Sequence, residues 1–166
     1  MKKFLDISNF RPLTEIENIK LDYSGLYALR VRDISSLPIT INNPIIYIGK
    51  GKVLSKRLEE ECRGKRNGTF FRGIGALLNF KPPKGSLLGK SNLYNYKFSK
   101  EDCDKIVNWM NENLVFSYVK LGKNITTEEK KLIMSNCPIL NTIHNPFKSE
   151  NLAKLRYECR LIALSK

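Results

Sequence analysis

The sequence predicts a mixed α/β (α+β) fold in which a small, mainly antiparallel three-stranded sheet is flanked by several helices. Short runs rich in β-branched and aromatic residues recur at 25–33, 45–48 and 114–119, each bounded by turn signals. Segments with one apolar helical face lie between and after these runs. A chain of 166 residues suits one domain with a sizeable core. We therefore expect a single domain over residues 1–166, with its core at about 24–143.

The strands are predicted from alternation and from turn residues. The first, from Gly25 to about Asp33, alternates apolar and polar side chains toward its end. After a turn signal, the β-rich run Ile45–Ile48 is closed by Gly49. Two strands this close in sequence most simply pair antiparallel. Leu114–Val119 supplies the third strand.

Five segments are predicted to be helices, and the first, third and fifth of them carry an apolar stripe. Ser99 caps the third, whose first turn holds acidic residues suited to the positive end of a helix. Thr126 begins the fourth, and its spacing to Glu129 fits a capping box, in which the glutamate bonds back to the cap. Pro138 ends that helix. The five segments are Val53–Cys62, Phe70–Phe80, and those beginning at Ser99, Thr126 and Ser149, the last of which is expected over about 149–165.

The charge balance favours a polyanionic partner. Lys and Arg number 29 against 16 Asp and Glu, which gives a net charge of +13. Such an excess favours nucleic acid, although a basic solvated surface alone would also explain it. No stretch approaches the length of a membrane span and no signal-peptide core follows the first residues. We expect a cytoplasmic protein that does not contact a membrane.

The cysteines do not predict a metal site. None of the four is paired as Cys-x-x-Cys, and His144 is the single histidine, so clustered zinc ligands are missing from the sequence. Cys62, Cys137 and Cys159 fall among apolar residues on predicted helices. We expect them to be buried, reduced thiols, as suits the cytoplasm.

Two tyrosine motifs are the most informative feature of the chain. Ser24–Tyr27, with Gly-Leu-Tyr, opens the first strand, and Tyr47–Lys52, with Tyr-Ile-Gly-Lys, closes the second. Arg57 lies ten residues after Tyr47, Glu129 lies in the first turn of a later helix, and Pro138–Asn141 ends it. Each motif alone is common in strands, helices and turns. Together and in this order they resemble the GIY-YIG nuclease superfamily, from about Gly25 to Asn141, and in particular its small stand-alone bacterial members.

This resemblance implies phosphodiester hydrolysis with one divalent ion, Mg²⁺ or Mn²⁺. Mg²⁺ needs only one or two carboxylates besides water and phosphate, so Glu129 suffices as its protein ligand. Arg57 would hold phosphate oxygens through its fork of donors. Lys50 would favour a phenolate at Tyr47. The remaining expected site residues are Tyr27, which would face Tyr47 across the paired strands and share in water activation, and Asn141, which would orient the glutamate helix.

The sequence departs from the family pattern in two places. Gly-Leu-Tyr replaces the commoner Gly-Ile-Tyr, and Glu61 stands one turn after Arg57, where many members carry a histidine. The leading interpretation is a restriction-like, site-specific DNA endonuclease, followed by a repair or mobile-element nuclease. Two alternatives are a nucleic-acid-binding module without turnover, for which Glu61 is the main hint, and an RNA-processing nuclease. The choice between the two tyrosines as general base stays open.

Basic residues interleaved with tyrosines predict a contact surface for duplex DNA, the expected partner. Basic side chains suit phosphate contacts and aromatic rings suit stacking or groove insertion. Much of the set falls in the loop-like segment 84–98. The oligomeric state is left open by the sequence. The predicted DNA-contacting residues are Arg63, Lys65, Arg66, Arg72, Lys81, Lys84, Lys90, Tyr94, Tyr96 and Lys97.

Overall fold

The computed structural model describes residues 2–64 and 67–166, and it has the predicted mixed α/β architecture with an antiparallel sheet. The sheet has four strands, in the order β1-β4-β2-β3, so the expectation of three was wrong. The additional strand, β1, is the two-residue Arg11–Pro12, which pairs with β4 at one edge. A pair that short, with a proline in it, leaves no periodic signal in the sequence. The longer strands are β2 (Gly25–Val31), β3 (Ile45–Gly51) and β4 (Leu114–Lys120).

Five helices surround the sheet, close to the predicted bounds. Ser99 and Ser149 cap α3 and α5, and each hydroxyl accepts from the backbone N–H three residues later. The fourth helix differs, because Asn124, in a left-handed conformation, precedes it and no capping box forms around Thr126. The helices are α1 (Leu54–Cys62), α2 (Thr69–Leu77), α3 (Lys100–Asn113), α4 (Ile125–Asn136) and α5 (Glu150–Leu164). None of the described helices is long and apolar enough to cross a membrane.

Both faces of the sheet are covered, which explains why the central strand β2 is buried almost throughout. On one face, Tyr27 and Leu29 of β2 join the large apolar core formed with α1, α2, α3 and α5. On the other face, Leu26 and Ala28 pack with Ile133 of α4 and with the N-terminal turns. The alternation of side chains along β2 therefore places the first motif tyrosine on the same side as the helix α1 that carries Arg57.

The outer edge of β3 is closed by the segment that follows α4. The Leu140 N–H donates to the carbonyl of Ile46 at 2.9 Å. The Asn141 side chain pairs with both backbone groups of Ile48, accepting from its N–H at 2.9 Å and donating to its carbonyl at 2.8 Å. Asn141 thus acts like one more residue of an adjoining strand, and it protects the edge that carries the second motif.

The cysteines of the described chain are all free thiols. Cys62 and Cys159 are buried, as expected, and burial raises the pKa of both thiols. Cys137 differs from the prediction because it caps the C-terminus of α4 in a left-handed conformation and is partly exposed.

Asn141→Ala should lower the free energy of unfolding by about 2–4 kcal/mol, because it leaves the buried N–H and carbonyl of Ile48 without partners, at about 1–3 kcal/mol each. Urea denaturation measures the loss. The control is Asn42→Ala, an exposed asparagine, which should stay within about 0.5 kcal/mol of the parent. Equal stability of the two variants would contradict a structural role for the Asn141 side chain.

Candidate active site

The second tyrosine motif has a steric reason for its glycine. In the sheet register, Gly49 of β3 lies opposite Tyr27 of β2. A Cβ at position 49 would come within 2.5 Å of the Tyr27 hydroxyl. Only glycine lets the Tyr27 ring lie across the neighbouring strand, where it is fully buried. The two motifs are therefore complementary parts of one contact.

The two motif tyrosines are diagonal neighbours and not a directly opposed pair. Tyr47 lies opposite Leu29 in the register. Its ring centroid is 6.0 Å from that of Tyr27 and 5.0 Å from that of Phe70 on α2. The Tyr27 hydroxyl is buried without a hydrogen-bond partner in the described part of the chain. Tyr47 is partly exposed and lines a cavity, so it is the tyrosine that a substrate can reach.

A buried ion pair lies next to the tyrosines. Arg57 Nη2 is 2.5 Å from Glu61 Oε1, one turn along α1. Glu61 is only 3% exposed, and its second oxygen has no partner among the described residues. Helix α1 packs closely on the end of β3, since a Cβ at Gly51 would lie 3.0 Å from the Cβ of Arg57. The residue in the place of the family histidine is thus a carboxylate that fixes the arginine.

Burial and the ion pair set the ionisation of the site. Burial and the Glu61 carboxylate raise the pKa of Tyr47 to about 12, although Arg57 acts in the opposite direction. Burial likewise raises the pKa of Tyr27 well above its ordinary value. Glu61 itself has a raised pKa because of burial, with Arg57 opposing the shift. At neutral pH both tyrosines are therefore uncharged phenols.

A second ion pair joins β3 to α4. Lys50 Nζ lies 2.8 Å from Glu129 Oε2 and donates to the Thr126 hydroxyl at 3.1 Å. Glu129 therefore faces Lys50 and does not close a capping box at its own helix end. Because Lys50 is engaged by Glu129, the cation that lowers the pKa of Tyr47 is Arg57 and not Lys50. The expectation that Lys50 promotes a phenolate at Tyr47 is not supported by these contacts.

One open cavity of about 570 Å³ brings the predicted polar groups together. Tyr27 lies beneath it and does not line it. The predicted residues on its wall are Tyr47, Lys50, Arg57, Glu129 and Asn141, together with Arg72 from the predicted DNA-contacting set. The remaining polar residues of the wall were not predicted as site residues. Apart from Glu61, which stands in the place of the family histidine, they belong to no recognisable motif. These are Glu61, Thr69, Asn95, Thr142 and His144.

The carboxylates of this cavity fit a single hard cation. Among residues 2–64 and 67–166, no three His, Cys, Asp or Glu side chains are grouped so that they could hold a metal ion. Glu129 supplies one carboxylate that lines the cavity, whereas Glu61 is engaged by Arg57. Mg²⁺ accepts a single carboxylate with water and phosphate as its other ligands. The donor set is compatible with one such ion at Glu129 and not with a dense two-metal site.

The predicted DNA-contacting residues fall into two groups. Arg72 and Tyr96 are buried and do not lie on the open surface, although Arg72 lines the active-site cavity and Tyr96 lines a neighbouring cavity. The Arg72 guanidinium donates to the Asn67 carbonyl and, at 2.6 Å, to Asn95 Oδ1, so it ties two loops together. Burial raises the pKa of Tyr96 and lowers that of Arg72.

The other predicted contact residues are nearer the surface. Arg63 is engaged by Asn111 and Glu17 at 3.0 Å each, and Lys81 lies 3.5 Å from Glu158. Lys65 and Arg66 lie outside the described residues. The exposed members are Lys84, Lys90, Tyr94 and Lys97.

Tyr27→Phe should leave the free energy of unfolding within about 0.5 kcal/mol of the parent or raise it, because the hydroxyl has no hydrogen bond to lose. Tyr27→Ala, which also removes the ring, should cost about 3–5 kcal/mol. Urea denaturation of the two variants separates the roles of hydroxyl and ring. A loss above about 1 kcal/mol in the Phe variant would reveal a partner for the hydroxyl.

Comparison with known proteins agrees with the geometry. Residues 21–160 match a family described as the GIY-YIG catalytic domain. The match includes both tyrosine motifs, Arg57, Glu129 and Asn141. Comparisons with curated proteins and with solved structures gave no match. Because the match covers most of the chain, the protein belongs to the GIY-YIG catalytic domain family, whose general activity is that of a nuclease.

Proposed function

We propose that the protein is a divalent-metal-dependent endonuclease that hydrolyses phosphodiester bonds in DNA, with a restriction-like, site-specific role. The observation that carries the proposal is the convergence of Arg57, Tyr47 and Glu129 on one open cavity. A phosphate-binding cation, a hydroxyl and a carboxylate are the groups that phosphodiester hydrolysis needs. The net charge of +13 supports a polyanionic substrate.

Arg57 is proposed to bind the phosphate that is cleaved. Glu61 accepts from one end of its guanidinium, which leaves other donors for phosphate oxygens. Glu61 lies on the cavity wall but is engaged by Arg57, and we assign it the role of a positioning residue that holds the arginine in place. Lys50, on the wall of the same cavity, supplies a second positive charge near the phosphate.

Tyr47 is proposed to place the attacking water. Its pKa of about 12 makes it a phenol at neutral pH, which can donate one hydrogen bond and accept another. As a phenol it orients water without removing a proton. At pH values below the pKa, the fraction of Tyr47 that is phenolate grows about tenfold for each unit by which the pH rises. A role of Tyr47 as a base would therefore become more effective as pH rises.

Glu129 is proposed to hold the divalent ion. A divalent ion bound there would stabilise the leaving oxygen and the charge on the phosphate. Lys50 keeps the Glu129 carboxylate oriented, at a distance of 2.8 Å. Asn141 acts through β3, because its side chain pairs with the Ile48 backbone, one residue from Tyr47.

The second candidate function is a nucleic-acid-binding module without turnover. One observation favours it: Arg57 and Glu129 are both engaged in internal ion pairs, and Glu61 replaces the family histidine. Incubation with supercoiled plasmid in Mg²⁺ or Mn²⁺, with EDTA as the control, distinguishes the two. Metal-dependent nicking or linearisation supports the nuclease, and mapped ends test site specificity. Tight binding with no cleavage of any DNA supports the binding module.

Glu129→Gln should abolish plasmid cleavage while DNA binding and folding are retained, because the amide keeps the side-chain shape but loses the charge for the cation. The control is Glu128→Gln on the same helix, where the carboxylate pairs with Lys131 at the surface. That variant should cleave like the parent. Cleavage by Glu129→Gln at the parental rate would remove Glu129 from the proposed metal site.

Arg57→Lys should lower the single-turnover cleavage rate at least about tenfold, which corresponds to about 1.4 kcal/mol of barrier. Lysine keeps the charge but lacks the fork that binds two phosphate oxygens. Arg11→Lys is the matched control, since Arg11 also pairs with a glutamate four residues on but belongs to the opposite edge of the sheet. An unchanged rate in Arg57→Lys would refute the phosphate clamp.

A further inference from the structure

We propose that a second cavity, bordered by α5 and by the loop that carries Tyr94 and Tyr96, binds one unpaired or extruded nucleobase of the substrate beside the cleaved phosphate. This inference rests on the proposed function, from which it takes a nucleic acid as the substrate. It adds a substrate class, namely DNA with one nucleotide out of the stack. The residues of this base pocket used below are Tyr94, Tyr96, Thr142, Lys148, Arg156, Tyr157 and Arg160.

The base pocket adjoins the candidate active site. Thr142 lines both cavities. Asn95 lines the active-site cavity, while its two neighbours in the chain, Tyr94 and Tyr96, line the base pocket. A strand whose phosphate lies at Arg57 can therefore direct an adjacent base into the pocket.

Aromatic rings and cations alternate at the pocket mouth. Tyr94 and Tyr157 are exposed by 70% and 52%. The Arg160 guanidinium lies over both rings, 4.7 Å from the centroid of Tyr94 and 5.2 Å from that of Tyr157. Flat rings and guanidinium planes are the surfaces on which unpaired bases stack.

The charge of the pocket suits a nucleotide better than a peptide or a lipid tail. Lys148, Arg156 and Arg160 contribute three positive charges to its wall. Within the described part of the chain, none of the three forms an ion pair with an acidic side chain. The cations remain available for the phosphates that flank a bound base.

Two polar groups on the wall have no hydrogen-bond partner among the described residues. Tyr96 is only 3% exposed, and its buried hydroxyl lies near the Cys159 thiol but has no partner with hydrogen-bond geometry among the described residues. The Arg160 Nε is also buried without a partner. Buried polar groups are nearly always hydrogen-bonded, so two such groups without partners in one pocket fit a ligand that would supply those partners. The edge of a nucleobase offers acceptors and donors for both.

The dimensions of the pocket agree with this occupant. Its volume is about 330 Å³, at the small end of the range of about 300–1,000 Å³ usual for ligand sites. Ile143, at the rim of the active-site cavity, is 71% exposed. An apolar side chain placed there can fill the gap that an extruded base leaves in the stack. A nucleotide that is already unpaired spares the cost of extrusion and should bind more tightly.

The test compares two end-labelled duplexes that differ by one unpaired nucleotide, with binding measured by fluorescence anisotropy in EDTA. The parent should bind the duplex with the unpaired nucleotide at least about tenfold more tightly than the matched duplex, as one base–aromatic stack can supply. The double variant Tyr94→Leu/Tyr157→Leu should bring this ratio to about one. The double variant Tyr94→Phe/Tyr157→Phe keeps both rings and should preserve it.

Tyr96→Phe tests the orphaned hydroxyl. Its removal should lower the affinity ratio while the free energy of unfolding, from urea denaturation, stays at or above the parental value. Photocrosslinking locates the base directly: 5-iodouracil at the unpaired position should attach to Tyr94 or Tyr157. Crosslinks confined to other parts of the chain, or a ratio that survives loss of both rings, would overturn the proposal.

Failure of the pocket and failure of the nuclease proposal give different results. If the parent cuts matched DNA but binds the two duplexes equally well, the nuclease proposal stands and the base-pocket proposal fails. If the parent cuts no DNA with Mg²⁺ but prefers the duplex with the unpaired nucleotide and forms the expected crosslink, the base-pocket proposal stands and the nuclease proposal fails. Self-association of the chain that Tyr157→Leu abolishes, together with a ratio of one, would assign the cavity to a second copy and refute the base pocket.

Discussion

The contact between the Tyr27 ring and Gly49 is the constraint on which the site depends. These residues lie opposite each other in the β2–β3 pair. Residue 49 must be glycine in this register, because any Cβ there would collide with the Tyr27 ring. A slip of one residue would turn every side chain of β3 to the other face of the sheet. In this register the Tyr47 ring lies 6.0 Å from that of Tyr27, and α1, which carries Arg57, begins soon after β3 ends at Gly51.

Two cations of the site, Arg57 and Lys50, are each paired with a carboxylate when substrate is absent. Arg57 pairs with the buried Glu61, and Lys50 pairs with Glu129. Burying a charge without a partner is costly, so each pair preserves a charged group that the proposed chemistry needs. Because the pairs use only part of the donors and acceptors of Arg57 and Glu129, both can also bind a ligand. Burial, followed by the Glu61 carboxylate, raises the pKa of Tyr47 and keeps it a neutral phenol, although Arg57 opposes the shift.

Local patterns in the sequence were sufficient for the five helices and the three longer strands, and the family resemblance was sufficient for five residues on the cavity wall. The cap residues Ser99 and Ser149 start α3 and α5, since a hydroxyl that bonds the third N–H is a local feature. The interactions between distant segments were not predictable. Glu129 fits a capping box in sequence, yet its partner is Lys50 on another element. Arg72 was predicted to contact DNA because of its charge, and Tyr96 because it lies in a polar and basic segment, whereas long-range packing buries both. The pairing of Asn141 with Ile48 likewise joins residues far apart in the chain.

The central claim is that one carboxylate, Glu129, holds the ion that the proposed cleavage requires. Electron paramagnetic resonance can count bound Mn²⁺ in the complex with a duplex whose phosphorothioate linkages resist cleavage. We predict one Mn²⁺ for each chain in the parent, and in Glu129→Gln a signal no greater than that of the DNA alone. Equal amounts of bound Mn²⁺ in the two proteins would contradict the assignment of the metal site to Glu129.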